Sequence, residues 1–292
     1  MKPRVAVLPG DGIGPEVVAA ALERYGHAFE VTMIDAGAER YLATGELLTS
    51  GDLTTIADHD ALLFGAIGDP RVPDGVLERG VLLKLRRELD LYVNLRPFPE
   101  LGLVFVRENT EGLYAGYGWS SDDSAAEVNL NTRRAVSRCV RYAYELAESR
   151  GGNLTWVHKT NVLDHSGALW REVVERVGQD HPSVPVHYEH VDAAAYHLAM
   201  DPSRFDVVVT DNLFGDILSD LAAGLAGGLG SAASANLHPD VSTRPTRCMG
   251  LFEPIHGSAP DIAGTGTADA TGAIRACEML LEALTVEEVS PA

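Results

Sequence analysis

Cysteine is scarce, with Cys139, Cys248 and Cys277 the only three in a chain of 292 residues. Their odd number, wide spacing and lack of a CxxC pair exclude a disulfide framework and give no zinc signature, so a reducing cytoplasm is the expected setting. Basic residues are also few, 23 against 42 acidic, a formal charge of −19. A surface with that balance repels phosphates and anionic lipid headgroups, so neither nucleic acid nor a membrane is an expected partner. Long apolar runs are missing. The first one is cut by Pro9 and Asp11, too soon for a signal-peptide core, and the Gly/Ala-rich run 221–235 is shorter and less apolar than a spanning helix. No internal repeat recurs, and no linker rich in Pro, Ser and Gly marks a domain boundary.

What is present is an alternation of short β-branched runs with amphipathic stretches. Strands are expected at 4–8, 61–67, 103–106, 154–158, 184–190 and 205–210. Helices are expected at 15–25, 76–89, 131–149, 166–177, 193–200 and 216–225. Such alternation is the mark of an α/β fold, and the length allows one large domain or two moderate ones.

Several segments carry chemistry. GDGIGPE at 10–16 follows a strand and opens a helix with Pro15 in its first turn. It lacks the third glycine of GxGxxG and the GK[ST] of a P-loop, so a tight turn and a cofactor loop both remain open. Between Arg79 and Arg107 the sign of charge reverses, with six basic residues (Arg79, Lys84, Arg86, Arg87, Arg96, Arg107) against Glu88, Asp90 and Glu100. Arg86, Arg96 and Arg107 could grip a di- or tricarboxylate; the alternative is a solvated face with pairs such as Lys84–Glu88. In FGDILSD at 214–220 the i,i+4 spacing places Asp216 and Asp220 on one helical face, where both can reach one hard cation; alternatively Asp216 is only a charge near its helix N-terminus. Lys159 closes a strand in HKTN, a position for a general base or for an ordinary surface lysine. The stretch Phe252–Gly264 is rich in small residues, has no hydrophobic periodicity and reads as a ligand loop rather than a core element.

Taken in order, GDGIGPE, LLKLRRELDLYVNLRP, VRENTEGLY, HKTNVL, FGDILSD and EPIHGSAPDIAG resemble the isopropylmalate/isocitrate dehydrogenase family, from residue 4 to about 284. The resemblance implies a two-domain α/β fold distinct from the Rossmann domain. Residues 1–91 with 228–292 would form a large cofactor-binding domain, and 92–227 a central domain for dimerisation and metal binding. It implies a homodimer whose clefts use residues of both chains, with NAD and Mg²⁺ or Mn²⁺ as cofactors and a small hydroxy-dicarboxylate as substrate. Arg86, Arg96 and Arg107 would hold the substrate carboxylates, Tyr114 would be the acid, and Lys159 the base, reaching with Asp192 into the partner's cleft. Asp216 and Asp220 would meet that Asp192 around the metal. Glu253, His256, Gly257, Ser258, Ala259, Asp261, Ile262 and Asp269 would line the cofactor site, with the acidic–aliphatic pair Asp261–Ile262 resembling the NAD-using members.

Leu82 and Leu83 form an apolar wall suited to an isopropyl group, so the implied reaction is oxidative decarboxylation of isopropylmalate to 2-oxoisocaproate, in leucine biosynthesis. Arg79 could recruit a further carboxylate, which keeps tartrate, isocitrate, homoisocitrate and other substituted malates in view. Two stretches depart from the family pattern. Only eight residues separate Pro97 from Val106, and the chain stops eight residues after Leu284, a shortened C-terminus. Those departures motivate a second reading, a non-catalytic relative. A sugar- or nucleotide-binding module is a third, and leaves the arginines and aspartates without a role.

Overall fold

Continuous apolar runs such as ALLFGA at 61–66 and VVVT at 207–210 are buried at every position, as strands of a parallel sheet covered on both faces must be. The computed structural model describes residues 2–289. Two units emerge. One holds the chain as far as Leu91 and again from Gly227; the other is Tyr92–Ala226.

In the first unit the chain runs β1 (Arg4–Gly10), α1 (Gly14–Tyr25), β2 (Glu30–Met33), α2 (Ala38–Thr44), α3 (Ser50–Ala57) and β3 (Ala61–Ala66). The helix expected at 76–89 is split. A π-helical turn, Glu78–Leu82, leads into α4 (Leu83–Glu88), with the Leu83 N–H reaching the Glu78 carbonyl. Such wide turns cost hydrogen-bond quality and tend to occur where side chains must be re-aimed. The Lys84–Glu88 pair of the alternative, solvated-face reading does not form: Lys84 Nζ donates to the Leu48 carbonyl at 3.0 Å, and Glu88 faces Arg87.

The second unit contains β4 (Val93–Phe98), β5 (Leu103–Glu108), β6 (Gly118–Ser120), β7 (Ala125–Glu127), α5 (Arg133–Arg150), β8 (Leu154–His158), α6 (Asp164–Gly178), β9 (Val186–His190), α7 (Val191–Met200), β10 (Val207–Thr210) and α8 (Asn212–Leu225). Its main sheet has the order β4-β5-β10-β8-β9, parallel except for the antiparallel β4–β5 pair. The short stretch between Pro97 and Val106 is therefore a hairpin, turned through Pro99–Leu101 and closed by Gly102 at φ +71°. Strands β6 and β7 form a separate exposed hairpin. Helix α5 starts because the Thr132 side chain accepts the Ala135 N–H, and it ends at Gly151 in the left-handed region. Trp170 is fully buried and still satisfied, donating to Asn131 at 2.9 Å.

The chain then returns to the first unit with β11 (Ala233–Leu237), β12 (Gly250–Pro254) and α9 (Thr271–Val289). That unit's strands lie in the order β2-β1-β3-β12-β11, parallel except for β11–β12. One core cluster joins Leu8, Phe64, Val81, Leu85, Leu89 and Leu251, each such side chain contributing about 1.5–3 kcal/mol through burial. The stretch read as loop from Phe252 thus begins inside a buried strand, because its apolar run is too short for periodicity to reveal. The tail after Val289 lies outside the described residues, in which no helix is long and apolar enough to cross a membrane.

Candidate active site

In the second unit β4, β5, the turn Leu113–Ala115 and α8 bring five of the expected residues together. Helix α8 is capped by Asp211, whose carboxylate accepts the Phe214 N–H at 2.8 Å. Asp216 therefore sits a turn inside the helix and is not its terminal charge. Arg96 donates to Asp220 Oδ1 at 2.9 Å and to Asp216 Oδ1 at 3.3 Å. Arg107 also bonds Asp216 Oδ1, and the Tyr114 hydroxyl donates to Asp216 Oδ2 at 2.5 Å while its ring lies 5.0 Å from the Arg107 guanidinium. Both arginines are buried, with Arg107 only 1% exposed. They are kept in place by short polar side chains in or next to the same motifs. Arg96 Nε meets Asn94 at 2.8 Å and its Nη1 meets Ser219 at 2.8 Å; Arg107 Nε meets Asn212 at 2.9 Å. Glycine at 215 lets Arg107 cross the helix, since a Cβ there would lie 2.7 Å from Arg107 Cγ.

Burial is the largest influence on Asp220 and raises its pKa; the Arg96 charge opposes this and the Asp216 carboxylate adds to it. The two aspartates offer hard oxygen donors on one face, a set suited to Mg²⁺ or Mn²⁺ rather than to soft metals. Among the described residues of a single chain no group of three or more ligands for a metal assembles.

Lys159 and Asp192 form a second cluster. Lys159 follows β8, Asp192 lies in the first turn of α7, and Nζ donates to Oδ1 at 2.6 Å. That bond is the main reason the Asp192 pKa is lowered. The Lys159 ammonium bonds neither Asp216 nor Asp220 of its own chain.

Arg86 belongs to the other unit, apart from Arg96 and Arg107 in the division of the chain. It is buried on α4 and meets Glu253 of β12 at 3.2 Å. Leu82 packs partly into the core beside it, and Leu83 is half-buried. The glycine loop after β1 is braced against the 257–260 segment. The Ile13 N–H donates to the Ser258 carbonyl at 2.8 Å, and a Cβ on Gly12 would lie 2.0 Å from that oxygen. With Asp11 N–H also bonded to the Ala66 carbonyl, this turn spends its amides on protein, as support for the neighbouring loop. The Asp11 carboxylate, missed in the sequence because a lone buried acid has no periodic signal, accepts Ala38 N–H at 2.7 Å and Gly68 N–H at 3.0 Å.

Gly68, Asp69, Leu77, Gly257, Ser258 and Ala259 line a cleft of about 410 Å³ in this unit. Ala259 stands at φ +39°, a conformation that costs a non-glycine residue about 1–3 kcal/mol and recurs where a ligand is gripped. Asp261 is exposed, and Ile262 is half-buried. His256 Nδ1 lies 2.9 Å from the Gly257 carbonyl. Asp269 is turned to its own backbone, accepting the Thr271 N–H at 2.9 Å at the start of α9.

Known proteins match nearly the whole chain. The family model described as isocitrate/isopropylmalate dehydrogenase matches residues 4–290. A 3-isopropylmalate dehydrogenase of Nocardia farcinica is 50% identical, covering 96% of this chain and 89% of its own. One from Corynebacterium glutamicum strain R is also 50% identical, over 98% of this chain and 89% of its own. The crystal structure of isocitrate dehydrogenase from Methylococcus capsulatus superposes with a TM-score of 0.86 at 38% identity, covering 97% of this chain and 86% of its own. An apo β-decarboxylating dehydrogenase from Thermococcus kodakarensis gives 0.81 at 41% identity, with coverages of 98% and 84%. The chain belongs to the isocitrate/isopropylmalate dehydrogenase family.

Proposed function

We propose that this enzyme oxidises and decarboxylates a 2-hydroxy acid with a carboxylate on C3, with 3-isopropylmalate as substrate, 2-oxoisocaproate as product and leucine biosynthesis as its setting. The observation that carries the reading is the meeting of Arg96, Arg107 and Tyr114 at Asp216 and Asp220. Two buried guanidiniums are suited to a dianionic substrate, and the acids they now pair with are free to turn to a cation when the substrate takes their place.

The donor chemistry of Asp216 and Asp220 fits Mg²⁺ or Mn²⁺, with Asp192 of a second copy as the third acid. In the first unit the 257–262 loop and the cleft beside it fit NAD, with Asp261 suited to the ribose hydroxyls and repelling a 2′-phosphate. NAD held there would supply the acceptor for the C2 hydride, and a cation held by the aspartates would supply a Lewis acid for the C2 oxygen. Arg86, Arg96 and Arg107 orient the substrate through its carboxylates. Lys159, as the neutral amine, takes the hydroxyl proton, and Asp192 stabilises the resulting ammonium. Once the bond from C3 to its carboxylate has broken and carbon dioxide has left, Tyr114 delivers a proton to C3 of the enolate.

A homodimer is part of this reading, because Lys159 pairs with Asp192 and bonds neither Asp216 nor Asp220 of its own chain. Exposed apolar side chains mark surfaces for a second copy: Tyr196 and Met200 on α7, Ile217 and Leu225 on α8, and Trp119 on the β6–β7 hairpin. The buried thiols suit the cytoplasm.

The test follows NADH absorbance with Mg²⁺ and a panel of isopropylmalate, isocitrate, homoisocitrate, tartrate and malate. Turnover is expected to be best on isopropylmalate. A folded dimer inactive on all five would refute the proposal and favour the non-catalytic reading.

A further inference from the structure

Glu253 stands in the ligand-loop motif and reads in the sequence as a cofactor contact, yet its carboxylate is engaged elsewhere. A single oxygen, Oε1, accepts from Asn236 Nδ2 at 2.8 Å, Arg86 Nη2 at 3.2 Å and Ser234 Oγ at 3.3 Å. Arg86 and Glu253 are 5% and 6% exposed, and Ser234 and Asn236 are fully buried. The pleat of the antiparallel β11–β12 pair produces this cluster. Ser234 lies opposite Glu253 in register and Asn236 two residues further along the same face, while Leu251, also on that face, packs with Leu85 and Leu89 of the Arg86 segment.

We propose that Glu253 is a positioning residue for Arg86, holding the guanidinium by its Nη2 edge so that it meets the substrate carboxylate in a fixed orientation. The proposal rests on the reading of Arg86 as a substrate anchor. A buried arginine needs a counter-charge in the free enzyme, and a carboxylate fixed by two neutral donors supplies one without freedom to wander. Asn236 and Ser234 take the carboxylate's rotamer freedom before substrate arrives, so less ordering is left to the binding step. A residue with this role acts on hydroxy-acid binding and leaves NAD binding alone.

The experiment measures, on the dimer with Mg²⁺, separate KM values for 3-isopropylmalate and NAD, kcat, and the equilibrium Kd for NAD. Glu253→Ala is expected to raise the KM for 3-isopropylmalate about tenfold or more, with the NAD Kd within about twofold of wild type. Glu253→Gln keeps an acceptor oxygen and should return that KM to within about threefold of wild type. If Glu253→Ala fails to fold, Asn236→Ala leaves the ion pair in place and should raise the same KM alone by about threefold. A KM for 3-isopropylmalate that is unchanged or lowered, or a loss that falls on NAD instead, overturns the proposal. Arg86→Ala run in parallel separates the two levels. Its KM should rise about a hundredfold. If it does and the Glu253 and Asn236 variants are silent, the positioning role alone is wrong; if Arg86→Ala is itself silent, the anchor reading falls and the positioning role with it.

Discussion

Lys159 Nζ and Asp192 Oδ1 lie 2.6 Å apart, joining the end of β8 to the first turn of α7 within one chain. The two side chains are thus presented together, with Lys159 paired to Asp192 and not to Asp216 or Asp220. Lys159→Ala is expected to cut kcat by about 10²–10⁴ while sparing NAD binding, and Lys159→Arg should not rescue it, because a guanidinium does not give up its proton. Turnover retained in Lys159→Ala would remove it as the base.

Asp216 is shared by Arg96, Arg107 and Tyr114. Asp216→Asn should weaken Mg²⁺ binding by calorimetry at least tenfold and lower kcat about a hundredfold or more. The variant should also lose the protection from heat that Mg²⁺ with substrate gives the wild type, which reaches about 2.7 kcal/mol at a hundred times Kd. Mg²⁺ affinity equal to wild type would exclude Asp216 as a ligand.

In the proposed dimer with shared clefts, these two variants complement each other. Lys159→Ala and Asp216→Asn chains, unfolded together and refolded, should recover roughly a quarter of wild-type turnover, since about half of the dimers are mixed and one cleft in each is whole. No recovery, with mixed dimers shown to be present, would place Lys159 in its own chain's site.

His158 and Asp211 are buried together, Nε2 to Oδ2 3.9 Å, and their pKa values move in opposite directions. Burial lowers His158 from 6.5 to about 4. Burial, with the nearby Glu108 charge and against that of Arg107, raises Asp211 from 3.8 to about 6. Between 4 and 6.5 the unfolded chain binds the His158 proton and the native one does not, so this residue makes stability fall as pH is lowered. Between 3.8 and 6 the native chain holds the Asp211 proton and the unfolded one does not, so this residue makes stability fall as pH is raised. Asp211→Asn keeps the helix cap and removes only the second slope. Urea unfolding should find it about 1–3 kcal/mol more stable near neutral pH, with a steeper loss on acidification than wild type. Curves that stay parallel at every pH would contradict the assignment.

Much of the site was legible because its parts are local. Asp216 and Asp220 share a face by helical spacing alone, and Lys159 follows a strand that the alternation already marked. Asp192, by contrast, lies just before the helix expected at 193–200 and came only with the family resemblance. The small polar residues that hold the arginines gave no signal of their own: Asn94 lies only two residues from Arg96 with nothing to mark it, and Asn212 and Ser219 lie 105 and 123 residues from the arginines they hold, separations that have no period. The hairpin after Pro97, the strand under Phe252 and the π turn at Glu78–Leu82 were missed because each is a short element of three to six residues, too brief for a period to show.

The sequence by itself determined the α/β class, the net charge and the spacing of each motif, because these depend on composition and on periods of two and 3.6 residues. Only the tertiary structure decided which charges meet: Arg96 and Arg107 at Asp216, Lys159 at Asp192, and Glu253 with Arg86. Those pairings arise from strand order and the packing of helices on the sheets, long-range closures that a linear pattern does not encode.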